Sequence, residues 1–339
     1  MFLRNLIYIL QLNLYENKSF LRFSYTHPTW WKLEKRATLV WTIKASLIYA
    51  LSVFFLIVVL ALSFWRFGYV GFFVIFLEFV LLPLIISLTN LIMYPLDKYF
   101  KKRLIVRAKR VLQKFKEVTV IGIAGSYGKT STREILATIL GTRFNVFKLE
   151  ENINTEVGIA DFIVKNPNFL EGKDIFIVEA GAYKRGDIKD ICDLVHPEYS
   201  ILTGINESHK ERFGSFENII QAKFELPLFT EKMSVLNLDN ERVKKNYKRF
   251  NIRNVAEITK DEVKNVRILE NFSGISFEID GINFQTKLLA KHNISLILAA
   301  KKIAETLGME VKEITSAVSK IEYIPHRLEP IYNKRIMFG

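Results

Sequence analysis

Hydrophobic positions divide this chain into two textures. From Ala45 to Trp65 the sequence ASLIYALSVFFLIVVLALSFW carries no charge, and about 20 such residues cross a bilayer core as a helix. After a break at Arg66-Phe67-Gly68, a second apolar run from Tyr69 to about Met93 carries only Glu78 and ends before Tyr94-Pro95. The pattern predicts a two-helix transmembrane hairpin, with Pro83 a place where the second helix can kink. An ionisable Glu78 at membrane depth is costly. A carboxyl near the interface, or protonated against the neighbouring helix, accounts for it, since a proton pathway needs more than one such group. The N-terminal stretch MFLRNLIYILQLNLY mixes apolar residues with Arg4, Asn5, Gln11 and Asn13 and lacks a small-residue cleavage site. It reads as an interfacial segment and not a signal peptide.

From Val118 onward the texture changes. VTVIGIA (118–124) and DIFIVEA (174–180) are continuous β-branched runs suited to strands covered on both faces, and YSILTGI (199–205) and MSVLNLD (233–239) repeat the pattern. Helical periodicity falls between them, at 130–140, 188–195 and 216–229. Strand and helix in alternation predict an α/β fold with a doubly wound, mostly parallel sheet, whose ligands bind beyond the carboxyl ends of the strands. Residues 252–289 alternate differently, with turn signals at Asn271-Phe272-Ser273-Gly274 and Asp280-Gly281, and predict a small antiparallel β meander. Helix returns from His292 to Leu307, closed by Gly308.

The net charge of +13 over 339 residues has a location. Nine Lys or Arg and no acid lie between Lys98 and Lys116, and Arg4, Lys18, Arg22, Lys32, Lys35, Arg36 and Lys44 precede the first span. The positive-inside rule places both flanks in the cytoplasm and the Arg66-Phe67-Gly68 turn outside, which predicts a protein of the cell (inner) membrane. A basic helix beside a membrane meets anionic lipid headgroups. No aromatic-plus-basic motif marks a nucleic-acid partner. The single Cys192 excludes an internal disulfide and reads as small apolar filler.

VIGIAGSYGKTSTREIL (120–136) carries the candidate chemistry. A buried strand ends at Ala124, glycines follow at 125 and 128, and a helix begins near Lys129. Backbone amides of Gly125, Ser126, Tyr127, Gly128, Lys129, Thr130 and Ser131 then converge where an anion can sit. Lys129 would reach the outer phosphates and the Thr130 hydroxyl a magnesium ion. Ile123, however, stands where the usual eight-residue phosphate loop has its first glycine, and a strand–turn–helix with a solvated lysine spells the same letters. Glu179 ends an apolar strand at the sheet's carboxyl edge, where a lone carboxylate serves packing poorly and magnesium well.

AGSYGKTS resembles the shorter phosphate loop of the Mur ligase family, ATP-dependent enzymes that add amino acids to peptidoglycan precursors. NINTEVG (152–158) resembles the family's Asn-rich turn. IVEAGAYKRGDI (177–188) and TGINESHKERFGSFENIIQAKFEL (203–226) resemble the branch that adds D-alanyl-D-alanine, and KHNISLILAA (291–300) and IPHRLEP (324–330) resemble later family segments. The resemblance implies ATP and Mg2+ as cofactors and amide ligation through an acyl phosphate. It makes His209 a second magnesium ligand and Lys129, His209 and Lys223 the catalytic set. Lys223 matches a lysine commonly carbamylated in the family, which would let it hold a second magnesium. Arg327 would face the nucleotide phosphates, His292 and Asn293 would border the adenine, and Asn154 and Thr155 would face the phosphate or acceptor.

The organisation expected is an interfacial segment (1–37), the membrane hairpin (38–95), a basic juxtamembrane helix (96–116), a Mur-ligase-like ATP-binding domain (117–329) and the start of a further domain (330–339). Three departures stand out. The hairpin replaces the soluble domain that grips the UDP-sugar in the family, Leu296 replaces an asparagine expected near the adenine, and the closing C-terminal domain comes either from a separate chain or from a longer sequence. The leading expectation is a membrane-anchored ligase acting on a peptidoglycan-precursor substrate. Its alternatives are a non-catalytic ATP-binding module of a wall assembly and a folylpolyglutamate-type ligase.

Overall fold

The computed structural model describes residues 2–27, 39–68, 73–150, 152–208 and 210–324. His209, Arg327 and the Glu78 side chain, all singled out above, lie outside the described residues. The chain forms two compact units, Met1–Arg103 and Leu104–Gly339.

The first unit holds α1 (Phe2–Leu12), α2 (Asn17–Thr26), α3 (Ile43–Phe67) and the start of α4 (Phe73–Leu112). Among the described residues two helices are long and apolar enough to cross a membrane, α3 and the part of α4 from Val80 onward. α3 begins where the Thr42 hydroxyl accepts the Ala45 amide at 3.1 Å, and stops at Gly68, whose φ of 57° is left-handed. In α1 Leu6 to Leu10 are all buried, packed with Phe20, Ile48 and Ile86. The apolar run of the second span ends before Pro95, yet α4 continues through Pro83 and Pro95 to Leu112.

The second unit follows β1 (Thr119–Ala124), α5 (Lys129–Leu140), β2 (Val146–Lys148), α6 (Glu156–Lys165), β3 (Ile175–Ala180), α7 (Asp187–Val195), β4 (Tyr199–Leu202), α8 (Lys210–Phe213), α9 (Phe216–Leu228), β5 (Met233–Asn237), α10 (Glu241–Asn246) and β6 (Val255–Ile258). The meander β7 (Val263–Ile268), β8 (Ile275–Ile279) and β9 (Ile282–Thr286) precedes α11 (Asn293–Thr306) and α12 (Val311–Ser319). The six-stranded sheet runs β2-β3-β1-β4-β5-β6, parallel throughout, and β7-β8-β9 is a separate antiparallel sheet. The predicted meander therefore starts later than the alternation suggested, because Val255–Ile258 pairs with β5 and closes one edge of the main sheet.

Alternation along the strands sorts the core into two layers. Ile121, Ile123, Ile175 and Ile177 face α5, α11 and α12. Val120, Ala124, Phe176 and Val178 face the other way, into the layer that holds α7, α9 and the last turns of α4 at Ala108. There Phe147, Phe162, Phe169 and Phe176 meet at ring separations of 5.1–5.9 Å. Phe176 is fully buried in that cluster. Phe176→Ala should therefore lower the stability of this unit by about 3–5 kcal/mol, read as a lower thermal midpoint of the full chain in detergent.

Candidate active site

β1 lies inside the sheet, and the chain leaves it toward β2 on one side while β4 leads to β5 on the other. The carboxyl ends of these strands form the switch point at which such sheets bind ligands. Gly125 follows immediately. Its φ is 156°, and a Cβ there would overlap the Thr203 hydroxyl. That hydroxyl donates to the Tyr127 carbonyl at 2.5 Å, fixing the middle of the loop. Gly128, at φ 76°, is the left-handed residue before α5. The Ser126 amide donates to the Gly204 carbonyl at 2.8 Å, and the Ser126 hydroxyl accepts the Asn206 amide at 3.1 Å. The loop is thus fastened to the turn after β4, and Ser126 spends its amide there instead of on an anion. The amides of Tyr127, Gly128 and Thr130 meet no acceptor among the described residues.

Lys129 folds back over the loop and donates to the Gly125 carbonyl at 2.9 Å. Its neighbour Thr130 directs Oγ1 at Glu179 Oε2, 3.4 Å away. Strand alternation puts Glu179 on the face of Ile175 and Ile177, beneath α5, where it is 5% exposed. It is not the lone carboxylate the sequence suggested, because Arg133 pairs with its Oε1 at 3.0 Å. Ser131 is buried in the same first turn. Leu296, which stands where the resemblance expects an asparagine, lies 3.5 Å from where a Gly128 Cβ would stand.

Gly125, Ser126 and Lys129 line a cleft of about 160 Å³ together with Asn154, Gly181 and Lys223. Lys223 is 5% exposed. Burial first, and the Lys129 charge second, push its pKa from 10.5 down to about 7, against the pull of Asp187 and Glu225. The carbonyl of Asn154 accepts the Gly181 amide at 2.8 Å. Thr155 is engaged elsewhere, its hydroxyl capping α6 through the Gly158 amide at 3.2 Å. Asn293 is buried at the start of α11. His292 precedes it, and burial, followed by the Lys260 charge, lowers its pKa.

Residues the sequence reading passed over hold this arrangement. Besides Thr203 and Arg133, Asn237 donates to the Thr203 carbonyl at 2.9 Å, and Asn240 donates to the Tyr127 hydroxyl at 2.9 Å and the Ile205 carbonyl at 3.1 Å. Ser295 ties α11 to Asp239 at 2.6 Å. For Asn237, Asp239 and Asn240 the sequence signal was their clustering around Leu238 at the end of β5.

Residues 123–304, more than half of the chain, match the Mur ligase middle domain. The chain belongs to the Mur ligase family. It is 29% identical over 227 residues to the UDP-N-acetylmuramoyl-tripeptide–D-alanyl-D-alanine ligase of Bacillus subtilis (strain 168), covering 66% of this chain and 49% of that protein. Among solved structures, the MurF ligase of Thermotoga maritima in complex with ADP superposes with a TM-score of 0.59 at 27% identity, over 69% of this chain and 55% of that one. MurF of Acinetobacter baumannii, at 18% identity and a TM-score of 0.62, shares the fold. The chain spans about half the length of the curated relatives it matches.

Lys223 gives this Mur ligase domain a pH signature. Below pH 7 the amine is charged in the folded and unfolded chain alike, and its burial costs stability in full. Between about 7 and 10.5 the folded chain sheds a proton that the unfolded chain keeps, so stability climbs with pH. Lys223→Met should be more stable than the parent at pH 7 and should lose that climb, measured as thermal midpoints from pH 7 to 10.

Proposed function

We propose that this chain is a membrane-anchored, ATP-dependent ligase that joins D-alanyl-D-alanine to the carboxylate of a peptidoglycan precursor. The observation that carries the reading is a cleft lined by Gly125, Ser126, Lys129 and the buried Lys223, with the Thr130–Glu179 pair directly following Lys129 in the chain and open amides on the same loop. A triphosphate matches the amides of Tyr127, Gly128 and Thr130 and the positive end of α5. Thr130 and Glu179 offer hard oxygens of the kind magnesium takes alongside phosphate. That ion, when bound, would neutralise charge on the phosphates during transfer.

In the reaction the precursor carboxylate attacks the γ-phosphorus of ATP, giving an acyl phosphate and ADP. The dipeptide amine then attacks the acyl carbon, the amide forms and phosphate leaves. Lys129 orients the outer phosphates, and Lys223, neutral or carbamylated, borders the acceptor side of the cleft. Positioning and charge neutralisation are the protein's share of the chemistry. His209 and Arg327 belong to this set by resemblance and lie outside the described residues. The dipeptide is favoured over other acceptor amines because the curated relatives at 25–29% identity carry that activity in their names. Anchoring rests on α3 and α4 and on the basic residues flanking them.

The test is phosphate release by the full chain in detergent with ATP, magnesium, a UDP-linked tripeptide and D-alanyl-D-alanine, with and without an added C-terminal domain of a relative. Release that needs both acceptor and dipeptide supports the ligase. ATP binding without turnover in either case would point to a non-catalytic module. Lys129→Ala and Glu179→Gln should each weaken magnesium-dependent ATP binding about ten- to a hundredfold, the worth of one charge-assisted contact; Lys129→Ala should retain the thermal midpoint, and Glu179→Gln should lower it by removing the buried partner of Arg133. Unchanged affinity in either variant removes that residue from the site.

A further inference from the structure

We infer that Arg133 is the positioning residue for Glu179, holding one carboxylate oxygen so that the other alone is presented to magnesium at the phosphate loop. The inference rests on the reading of the cleft as a magnesium–nucleotide site and extends it to a side chain outside the loop.

The geometry starts from helical spacing. Thr130 and Arg133 are three residues apart on α5 and therefore share a face, and that face looks onto Glu179. The two side chains divide the carboxylate between them. Arg133 Nη1 stands 3.0 Å from Oε1, and Thr130 Oγ1 stands 3.4 Å from Oε2. Arg133 is itself immobilised. Nη1, ion-paired with Glu179, donates its hydrogen bond to the Leu149 carbonyl at 2.8 Å, while Nε and Nη2 both donate to Glu134 Oε1, at 3.1 and 2.7 Å. Glu134 is gripped in turn by Lys148 of β2. With two sides of a rigid planar fork fixed, the contact to Glu179 has a set direction.

Lys148 shares Glu134, so Arg133 and Lys148 face Glu134 and Glu179, two cations against two acids, and the guanidinium is the cation that accompanies Glu179. Glu179 is 5% exposed and Arg133 6%, and a carboxylate that deep stays ionised when a cation accompanies it. Magnesium demands short bonds in near-octahedral order and tolerates little ligand wobble. Partners one step out from a metal ligand typically set about 10–100-fold in metal affinity.

The experiment measures ADP binding to the full chain in detergent by calorimetry, in EDTA and across a magnesium titration, for the parent, Arg133→Met and Arg133→Lys. Arg133→Met should leave ADP affinity in EDTA within about twofold and raise the magnesium midpoint about 10–100-fold, and Arg133→Lys, which keeps the charge and loses the fork, should fall between. Parallel loss of ADP binding with and without magnesium, together with a lowered thermal midpoint, would assign Arg133 to the fold and overturn the inference. An unchanged midpoint in Arg133→Met overturns it as well, while leaving the nucleotide site standing. If Arg133→Met does not fold, Arg133→Lys decides: an unshifted midpoint overturns, and a several-fold shift with unaltered EDTA binding supports. A parent whose ADP binding ignores magnesium defeats the reading of the site itself.

Discussion

The constraint on which this α/β unit depends is the space between Thr203 and the backbone at 125. β1 has to turn into α5 within four residues, and the Thr203 hydroxyl occupies the volume that any side chain at 125 would need. Glycine is therefore the residue that lets β1 and β4 remain adjacent while the loop rises over them. The same hydroxyl then bonds the Tyr127 carbonyl, turning that carbonyl down and leaving the neighbouring amides to face outward. One small residue and one threonine, from strands that pair in parallel, thus decide which way the backbone dipoles point.

The site is also an exercise in burying charge economically. Three ionisable side chains, Arg133, Glu179 and Lys223, are each at most 6% exposed, and the fold treats them differently. The acid receives a guanidinium. Arg133 receives a second acid and a carbonyl. Lys223 receives no close carboxylate in the described residues and yields its proton instead. A neutral amine beside a cationic Lys129 is a different chemical object from the surface lysine that its place in an amphipathic helix would suggest.

Much of the fold was legible because its strands are long, apolar and β-branched. β1, β3, β4 and β5 stand where continuous runs of Val and Ile place them, and the helices between follow their periodicity. What escaped notice was short or shared a pattern with something else. β2 has only Val146, Phe147 and Lys148, too few for a period. β6 alternates like a meander strand although it pairs in parallel with β5. At the site, the loop glycines, Lys129, Thr130 and Glu179 could be named from spelling and strand position. Arg133 could not, since helical periodicity marks it as one more polar residue on α5 and its partners Glu179 and Leu149 come from distant segments. Thr155 shows a second role that spelling does not reveal, since its hydroxyl accepts the Gly158 amide and caps α6.

The order of the main sheet sets how the chain must assemble. β1 sits between β3 and β4, both of which follow it at long sequence separation, with Thr119 paired to Ile175 and Ile121 to Tyr199. During synthesis from the N-terminus, this central strand waits, apolar on both faces, until Tyr199–Leu202 has emerged. Non-local parallel pairing of this kind folds slowly and leaves sticky edges open meanwhile. The N-terminal position of the phosphate loop therefore carries a kinetic burden, and the nascent chain is most vulnerable to aggregation between the appearance of β1 and that of β4.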